Sequence, residues 1–227
     1  MATRKAPPLE RQGYHHGNLK EALVAAARKL IAERGPAGFA LSEAARLAGV
    51  SAAAPYRHFK DRDALIAEVA ERGFAEFGRR LGAAWTGAEA EPKIGFARMG
   101  EAYLAFAREE PGYYGAMFAG GGGRSRSPPR GSAAFGGLEK VIARIAAGQG
   151  NRGAPPAADP RVLAYQVWAM SHGIATLSAA GHIPREEGAV RPEALLRSGV
   201  AALLAGSLAA PAASSVSDNR KRRTAAL

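Results

Sequence analysis

Residues 40–60 read Ala-Leu-Ser-Glu-Ala-Ala-Arg-Leu-Ala-Gly-Val-Ser-Ala-Ala-Ala-Pro-Tyr-Arg-His-Phe-Lys, and this stretch predicts two short helices joined by a tight turn. Gly49 supplies the backbone freedom that the turn needs, because it has no Cβ and can adopt a positive φ. Ser51 follows as a favourable N-cap for the second helix, since its hydroxyl can accept a hydrogen bond from a backbone N–H. This arrangement is typical of a helix-turn-helix, whose second helix enters the major groove of DNA.

The second helix is predicted over about Ala52–Phe59, and its two ends differ in chemistry. Its first residues should face base edges, yet residues 52–55 are three alanines and a proline without hydrogen-bonding side chains. Direct readout would then depend on Arg57, Ser51 and Ser42, with alanine methyl groups against thymine methyl groups. The far end carries side chains that can donate to phosphate oxygens, namely Tyr56, Arg57, His58 and Lys60. Phe59 is predicted to pack in the core.

Three patterns carry a resemblance to a known family: Leu41-x-x-x-Ala45-x-x-Ala48-Gly49-Val50-Ser51, then Tyr56-x-His58-Phe59-Lys60, then Asp63-x-Leu65. Together they resemble the DNA-binding domain of TetR-family transcriptional regulators over about residues 14–70. The resemblance implies phosphate contacts from Tyr56, His58 and Lys60, and its register lets Ser42 face DNA. With the residues selected above, the predicted DNA-binding set is Ser42, Ser51, Ala52, Ala53, Tyr56, Arg57, His58 and Lys60. The resemblance also places the N-cap of the first helix of the motif at Ala40, whereas local capping logic favours Ser42. The alternative without DNA is a helical hairpin with a positively charged face.

The charge of the chain is distributed unevenly. The 227 residues carry a formal net charge of +11. Residues 1–62 hold 11 Lys and Arg against 5 Asp and Glu, and residues 214–227 hold 4 against 1, whereas residues 63–213 are nearly balanced at 16 against 14. A basic N-terminal part on a nearly neutral body is typical of nucleic-acid-binding proteins.

Composition argues against several classes of protein. Cysteine is absent, which excludes a disulfide framework and a Cys-ligated metal site. No apolar run reaches the ~18 residues of a transmembrane helix, and the first nine residues lack the apolar centre of a signal peptide. We therefore expect a cytoplasmic protein that binds no membrane. The chain has neither a Gly-x-Ser-x-Gly nor a His-Glu-x-x-His motif, so we predict no enzyme, no cofactor and no metal site.

The rest of the chain predicts an all-α fold of about nine helices, because apolar residues recur at helical spacing and no strand pattern is convincing. Four segments are expected: a disordered basic arm (1–13), a three-helix helix-turn-helix DNA-binding domain (14–62), a helical ligand-binding and dimerisation domain (63–209) and a disordered basic tail (210–227). Within the third segment, helices are predicted over about Pro92–Glu109, Ala133–Ala147, Arg161–Ala180 and Pro192–Ala209.

Two sets of residues in the body are candidates for binding. The densest apolar and aromatic set predicts a pocket for an apolar or amphipathic molecule, lined by Phe96, Met99, Tyr103, Phe106, Tyr113, Tyr114, Met117, Phe118 and Trp168. The run Trp168 to Gly173 resembles the Trp…His-Gly motif of the WHG type of TetR C-terminal domain. The family resemblance implies a dimer interface on the last two helices, for which we select Tyr165, His172, Thr176, Leu196, Val200 and Leu203.

The sequence is compatible with two functions. The first is a ligand-responsive transcriptional regulator, expected to be a repressor, which binds a palindromic operator as a homodimer and is released by a small molecule. The second is a non-specific architectural DNA-binding protein that uses its basic ends. Competition against random DNA at fixed salt separates the two, because only the first predicts a strong sequence preference.

Overall fold

A computed structural model of the chain describes residues 19–118, 129–149, 159–183 and 190–209. Regular structure in these ranges is entirely helical, which confirms the predicted all-α class. The eight α-helices are α1 (Leu19–Arg34), α2 (Leu41–Leu47), α3 (Arg62–Trp85), α4 (Pro92–Glu109), α5 (Pro111–Met117), α6 (Pro129–Gln149), α7 (Pro160–Ala179) and α8 (Pro192–Ala209). A 3₁₀ helix spans Ala54–Arg57. The predicted basic arm and tail lie outside the described residues.

The chain divides into two compact units that do not follow the predicted boundary after residue 62. The first unit comprises Met1–Phe74 and Glu110–Arg124, and the second comprises Ala75–Glu109 and Ser125–Leu227. Helix α3 therefore begins in one unit and ends in the other, and α5 belongs with the N-terminal helices. None of the described helices combines the length and the apolar character needed to cross a membrane.

The core of the first unit is built mainly on α1. This helix buries one apolar face, as its helical spacing predicts, and α2 and α5 pack against it. Leu65 and Val69 at the start of α3 belong to the same buried cluster. The buried residues of this core include Leu23, Leu30, Phe39, Phe59 and Leu65. These contacts hold the backbone of the helix-turn-helix on the core of the first unit.

Helix α5 lies unusually close to α1. A Cβ at Gly112 would stand 2.2 Å from the backbone carbonyl oxygen of Arg28, so only glycine fits there. The guanidinium of Arg28 lies 4.9 Å from the ring centre of Tyr113 and 3.5 Å from the Glu110 carboxylate. This cation–π contact and ion pair secure α5 to the helix on which the N-terminal core is built.

Ion pairs connect the start of α1 to α3 within the same unit. The Arg72 guanidinium donates to the Glu21 carboxylate at 2.7 Å and to Glu68 at 3.0 Å, and Lys20 pairs with Glu68 at 3.0 Å. The hydrogen bond to Glu21 is the main reason that the pKa of Arg72 is raised. Ion pairs that stay in contact with solvent contribute little stability each, but this connected group fixes the orientation of the two helices.

In the second unit, α4 is the central helix, and α6, α7 and α8 all pack against it. Phe106 on α4, Ile142 on α6 and Leu163 on α7 are almost fully buried. The Asp159 carboxylate accepts a hydrogen bond from the Arg161 N–H at 2.8 Å and caps α7, whose first residue is Pro160. Asp at the N-cap followed by Pro is a favourable helix start, which explains where this helix begins.

Candidate nucleic-acid interface

The start of α2 decides between the two N-caps that the sequence left open. The N-cap is Ala40, whose backbone N–H donates to the Glu43 carboxylate at 2.9 Å. Alanine has no side-chain acceptor, so this is only one half of a capping box. Glu43 also pairs with Arg34 at 2.9 Å, and these two interactions, the Ala40 hydrogen bond first, lower its pKa. Ser42 is therefore the second residue of α2, and its side chain is exposed.

The turn after α2 has the predicted glycine conformation. Gly49 adopts a φ of 73°, a value that L-residues with a Cβ rarely take. The Val50 N–H donates to the Ala45 carbonyl at 3.0 Å across the turn. A Cβ at Gly49 would meet nothing within 4 Å, so the conformation, and not the available space, requires glycine here.

The recognition segment, residues 51–60, differs from the predicted α-helix over Ala52–Phe59. Only Ala54–Arg57 is helical, and it is a 3₁₀ helix. The Ala54 N–H donates to the Ser51 carbonyl at 3.0 Å and the His58 N–H to the Pro55 carbonyl at 2.9 Å. Pro55 has no N–H, so the Ser51 carbonyl cannot receive the bond that an α-helix would direct to it from residue 55.

Ser51 does not cap this helix, which corrects the first expectation. The N-cap residue is Ala53, and no side chain makes a capping hydrogen bond there. Within the described part of the chain, the Ser51 hydroxyl has no hydrogen-bond partner. It is exposed at the start of the recognition segment, where it can form a hydrogen bond to a ligand.

Exposure divides the recognition segment into an anchor and a contact surface. Pro55 and Phe59 are buried, and Phe59 is 4% exposed, as its predicted core role requires. Tyr56 is 63% exposed although it is aromatic. Every residue predicted to touch DNA is exposed: Ser42, Ser51, Ala52, Ala53, Tyr56, Arg57, His58 and Lys60. The arrangement can donate several hydrogen bonds to an extended anionic partner.

Arg46 belongs on the same surface, although the sequence analysis did not select it. It is exposed on α2, four residues after Ser42, so the two share one helix face. Among the described residues it makes no ion pair. The spacing of four residues from Ser42 is the signal that could have identified it.

The predicted pocket residues fall into both units. Four residues of α4 are buried in the second unit: Phe96, Met99, Tyr103 and Phe106. There the Phe77 ring centre lies 5.2 Å from both Tyr103 and Phe106. Trp168 on α7 is half-buried, with its ring centre 5.7 Å from that of Phe135.

The other four predicted pocket residues lie on or beside α5 in the first unit, namely Tyr113, Tyr114, Met117 and Phe118. The rings of Tyr114 and Phe118 are 4.9 Å apart, and Phe74 lies 6.1 Å from Phe118. Gly73 of α3 leaves room for the Met117 side chain, because a Cβ there would be 2.8 Å from its sulfur. These side chains therefore fill space between α3 and α5.

The residues selected for a dimer interface have different environments. Leu196 and Val200 are buried within the second unit, because one face of α8 packs on α4 and α7, so they belong to the core of a single chain. Tyr165 and Thr176 are exposed on α7, and Leu203 is half-buried. A second copy could therefore reach only part of the selected set.

His172 contacts another helix of its own chain, whereas the interface prediction placed it against a second copy. Its Nδ1 lies 3.3 Å from the Tyr103 hydroxyl of α4, which is a hydrogen-bonding distance. Burial lowers the pKa of the imidazole. The side chain therefore helps to join α7 to α4. The described residues contain no group of three or more metal-ligating side chains, and His15 and His16 lie outside them.

Both the N-terminal and the C-terminal part of the chain match models of known protein families. Residues 23–69 match the family model described as bacterial regulatory proteins, tetR family, and residues 96–203 match one described as tetracyclin repressor-like, C-terminal domain. The second match includes the Trp168–Gly173 run. No curated protein matches the chain significantly.

Three solved structures illustrate the likeness. A protein of unknown function from Rhodococcus sp. RHA1 is 30% identical, with 86% of this chain and 98% of that chain covered and a TM-score of 0.70. The TetR-family transcriptional regulator PfmR from Thermus thermophilus is 20% identical, with coverages of 81% and 97% and a TM-score of 0.60. AibR, solved with isovaleryl coenzyme A and operator DNA, is 18% identical, with coverages of 81% and 97% and a TM-score of 0.59.

Proposed function

The chain belongs to the TetR family of bacterial regulatory proteins, and on this premise we propose that it is a ligand-responsive transcriptional repressor that binds a palindromic operator as a homodimer. Regulators of this family are DNA-binding proteins without enzymatic activity. The observation that carries the proposal is the surface of the helix-turn-helix, on which the eight predicted contact residues are exposed while Pro55 and Phe59 anchor the recognition segment in the core.

The contact surface suits DNA because its hydrogen-bond donors are exposed and distributed over a length of chain. Arg57, His58 and Lys60 follow one another closely, and Tyr56 adds a phenolic hydroxyl. Such side chains bind phosphate oxygens and set the register of a protein on the duplex. One short motif offers limited affinity, so a two-fold dimer reading half-sites roughly 34–36 Å apart is the expected arrangement.

The proposed effector site lies in the second unit, around the aromatic side chains of α4 and Trp168 of α7. Phe96, Met99, Tyr103 and Phe106 are buried and would line the site with apolar atoms when a ligand opens it, and the Tyr103–His172 pair would supply polar atoms. The ligand would act by binding one conformer better than the other, and DNA affinity would change reciprocally. Since AibR was solved with isovaleryl coenzyme A, acyl coenzyme A thioesters are reasonable first compounds.

Competition binding tests the DNA-binding part of the proposal. The fragment to use is the DNA flanking the gene of this protein, because repressors commonly bind beside their own genes. Labelled fragment and purified protein are mixed at fixed salt with rising amounts of random DNA of equal length. A specific repressor retains the labelled fragment at an excess of about 10³-fold or more. Equal competition by both DNAs would favour the architectural protein instead.

Native mass spectrometry of the purified protein tests the effector part. A co-purified small molecule, or an added acyl coenzyme A, should appear as a mass increment on the intact chain. The same compound should then reduce operator binding in the competition experiment. Compounds that bind without changing DNA affinity would contradict the regulatory role, while the DNA-binding result stands on its own.

A further inference from the structure

We propose that Ala52 and Ala53 determine operator specificity by reading thymine methyl groups, so that each half-site presents thymine to these two side chains. This inference rests on the proposed function, and it names the base chemistry that the recognition segment selects. It concerns contacts to base edges and not the phosphate contacts that position the protein.

The exposure of these two residues is the first argument. Ala52 and Ala53 are exposed and precede the 3₁₀ helix, while the following Pro55 is buried. The leading residues of a recognition element are those that approach the base edges. Burial of Pro55 and Phe59 in the core fixes the segment, so the two methyl groups cannot easily turn away from the groove.

The chemistry of the major groove supplies the second argument. Guanine, adenine and cytosine present polar atoms there, whereas thymine adds a C5-methyl group. An alanine methyl placed against a polar edge removes water without offering a hydrogen bond in exchange, which is unfavourable. Against thymine, two apolar groups leave water together. Two adjacent alanines therefore select for thymine and against the polar edges.

The polar side chains on either side of the two alanines add sequence specificity to the thymine contacts. The Ser51 hydroxyl precedes the alanines, and the Arg57 guanidinium follows them on the same segment. Neither group has a hydrogen-bond partner in the described parts of the chain. Both can donate to acceptor atoms of bases or phosphates beside the thymines, so the methyl contacts lie between two hydrogen-bonding positions.

Replacement of thymine by deoxyuridine in the operator tests the proposal, because it removes only the C5-methyl group. At the one or two positions per half-site that face the alanines, we expect binding to weaken by about fourfold per methyl group, the change that corresponds to one buried methylene. Other thymines in the fragment serve as internal controls. Where thymine is replaced by cytosine, 5-methylcytosine should recover part of the loss.

Ala52→Gly and Ala53→Gly complete a double-mutant cycle with the modified DNA. Each variant should lose the discrimination at the thymine that its own alanine faces and keep it at the other, and the variant with both substitutions should no longer distinguish thymine from deoxyuridine at either position. Ala32→Gly, an exposed alanine of α1 in the same unit, is the matched control and should keep the distinction. Circular dichroism verifies that the variants are folded.

The outcomes separate this inference from the proposed function. If the wild type prefers its operator strongly but binds thymine and deoxyuridine forms equally, the methyl contacts are disproved and the repressor stands. If the glycine variants lose affinity equally for both DNAs, the alanines act through backbone conformation, which also overturns the inference. If the protein shows no preference for any operator over random DNA, the proposed function itself fails.

Discussion

Arg57 is the strongest candidate for a hydrogen-bonded base contact, because Ala52 and Ala53 offer only methyl groups. Its side chain is exposed, and no described residue forms an ion pair with it. Lys60, by contrast, has Asp61 at 3.7 Å. An arginine free of carboxylates can approach guanine with two donors, whereas a lysine beside an acid is better suited to a phosphate.

Arg57→Ala should weaken binding to the operator by about 1–3 kcal/mol if the guanidinium reads a base. Binding to random DNA should change much less, because phosphate contacts remain. Fluorescence anisotropy with both DNAs measures the two losses at the same salt concentration. Arg161→Ala removes an equal charge from α7 and serves as the control. An equal loss on both DNAs would assign Arg57 to phosphate.

His172 predicts a dependence of stability on pH. Burial lowers the pKa of its imidazole, so the unfolded chain binds more protons than the folded chain between the folded-state pKa and the ordinary value of about 6.5. Stability should therefore fall as the pH decreases through about 6.5 and level off below the folded-state pKa. Thermal unfolding of wild type and His172→Asn at about pH 5.5 and 7.5 measures this. The variant should lose less stability on acidification, and an equal loss would contradict the assignment.

At the scale of helices, the sequence predicted the first and last residues of some helices correctly. The observed bounds of α4 (Pro92–Glu109) and α8 (Pro192–Ala209) equal the predicted ones. Each begins with proline at its first position, where the missing N–H has least effect, and each carries a long apolar face. Local chemistry alone sets such boundaries, so a single sequence is sufficient to find them.

Other elements depended on contacts that local sequence does not contain. The cap of α2 was settled by Glu43, which is held by both Ala40 and Arg34. The short recognition segment could not be distinguished as α or 3₁₀ because periodicity needs more residues than it has. Helix α7 carries apolar residues on several faces, so its sequence alone did not show which face would be buried. The sequence could not tell that His172 would meet Tyr103 of the same chain.

The contact between α1 and α5 predicts a strong effect of a single methyl group. Gly112→Ala would place a Cβ 2.2 Å from the Arg28 carbonyl oxygen. Separation of the two helices should then cost about 1–3 kcal/mol of unfolding free energy. Gly78→Ala, on the exposed side of α3 with nothing within 4 Å, is the matched substitution. It should be neutral or stabilise by about 0.5–1 kcal/mol. Urea unfolding of both variants checks this, and a stable Gly112→Ala protein would disprove the close contact.

At the scale of the whole molecule, the proposed homodimer must use side chains that a second copy can reach. The exposed residues of α7 include Val162, Tyr165 and Thr176, which share one helix face, and Leu195 on α8 is also exposed. Large apolar side chains exposed in this way are commonly found at interfaces between proteins. The interface we propose is therefore centred on α7, with Leu203 of α8 at its side.

Thr176→Arg should shift the protein toward monomers, because two copies of the new charge would meet near a symmetry axis. Thr176 is exposed, so the substitution leaves the core of the chain intact. Light scattering reports the mass in solution, and anisotropy should show weakened binding to a palindromic operator with binding to a single half-site retained. Thr86→Arg, the same change at an exposed residue directly after α3, should remain dimeric. An undisturbed Thr176→Arg dimer would place the interface elsewhere.

The first unit contains two separated stretches of chain, and this has a consequence for recombination between genes. Helix α1 packs against α5, which follows α4 in the sequence. A chimaera that joins these N-terminal helices to the body of another regulator would receive a foreign α5 against Arg28, where a side chain in place of Gly112 has no room. A chimaera should therefore acquire the DNA specificity of this protein only when α5 is transferred together with the N-terminal helices. Recombination events that separate α5 from these helices should be selected against.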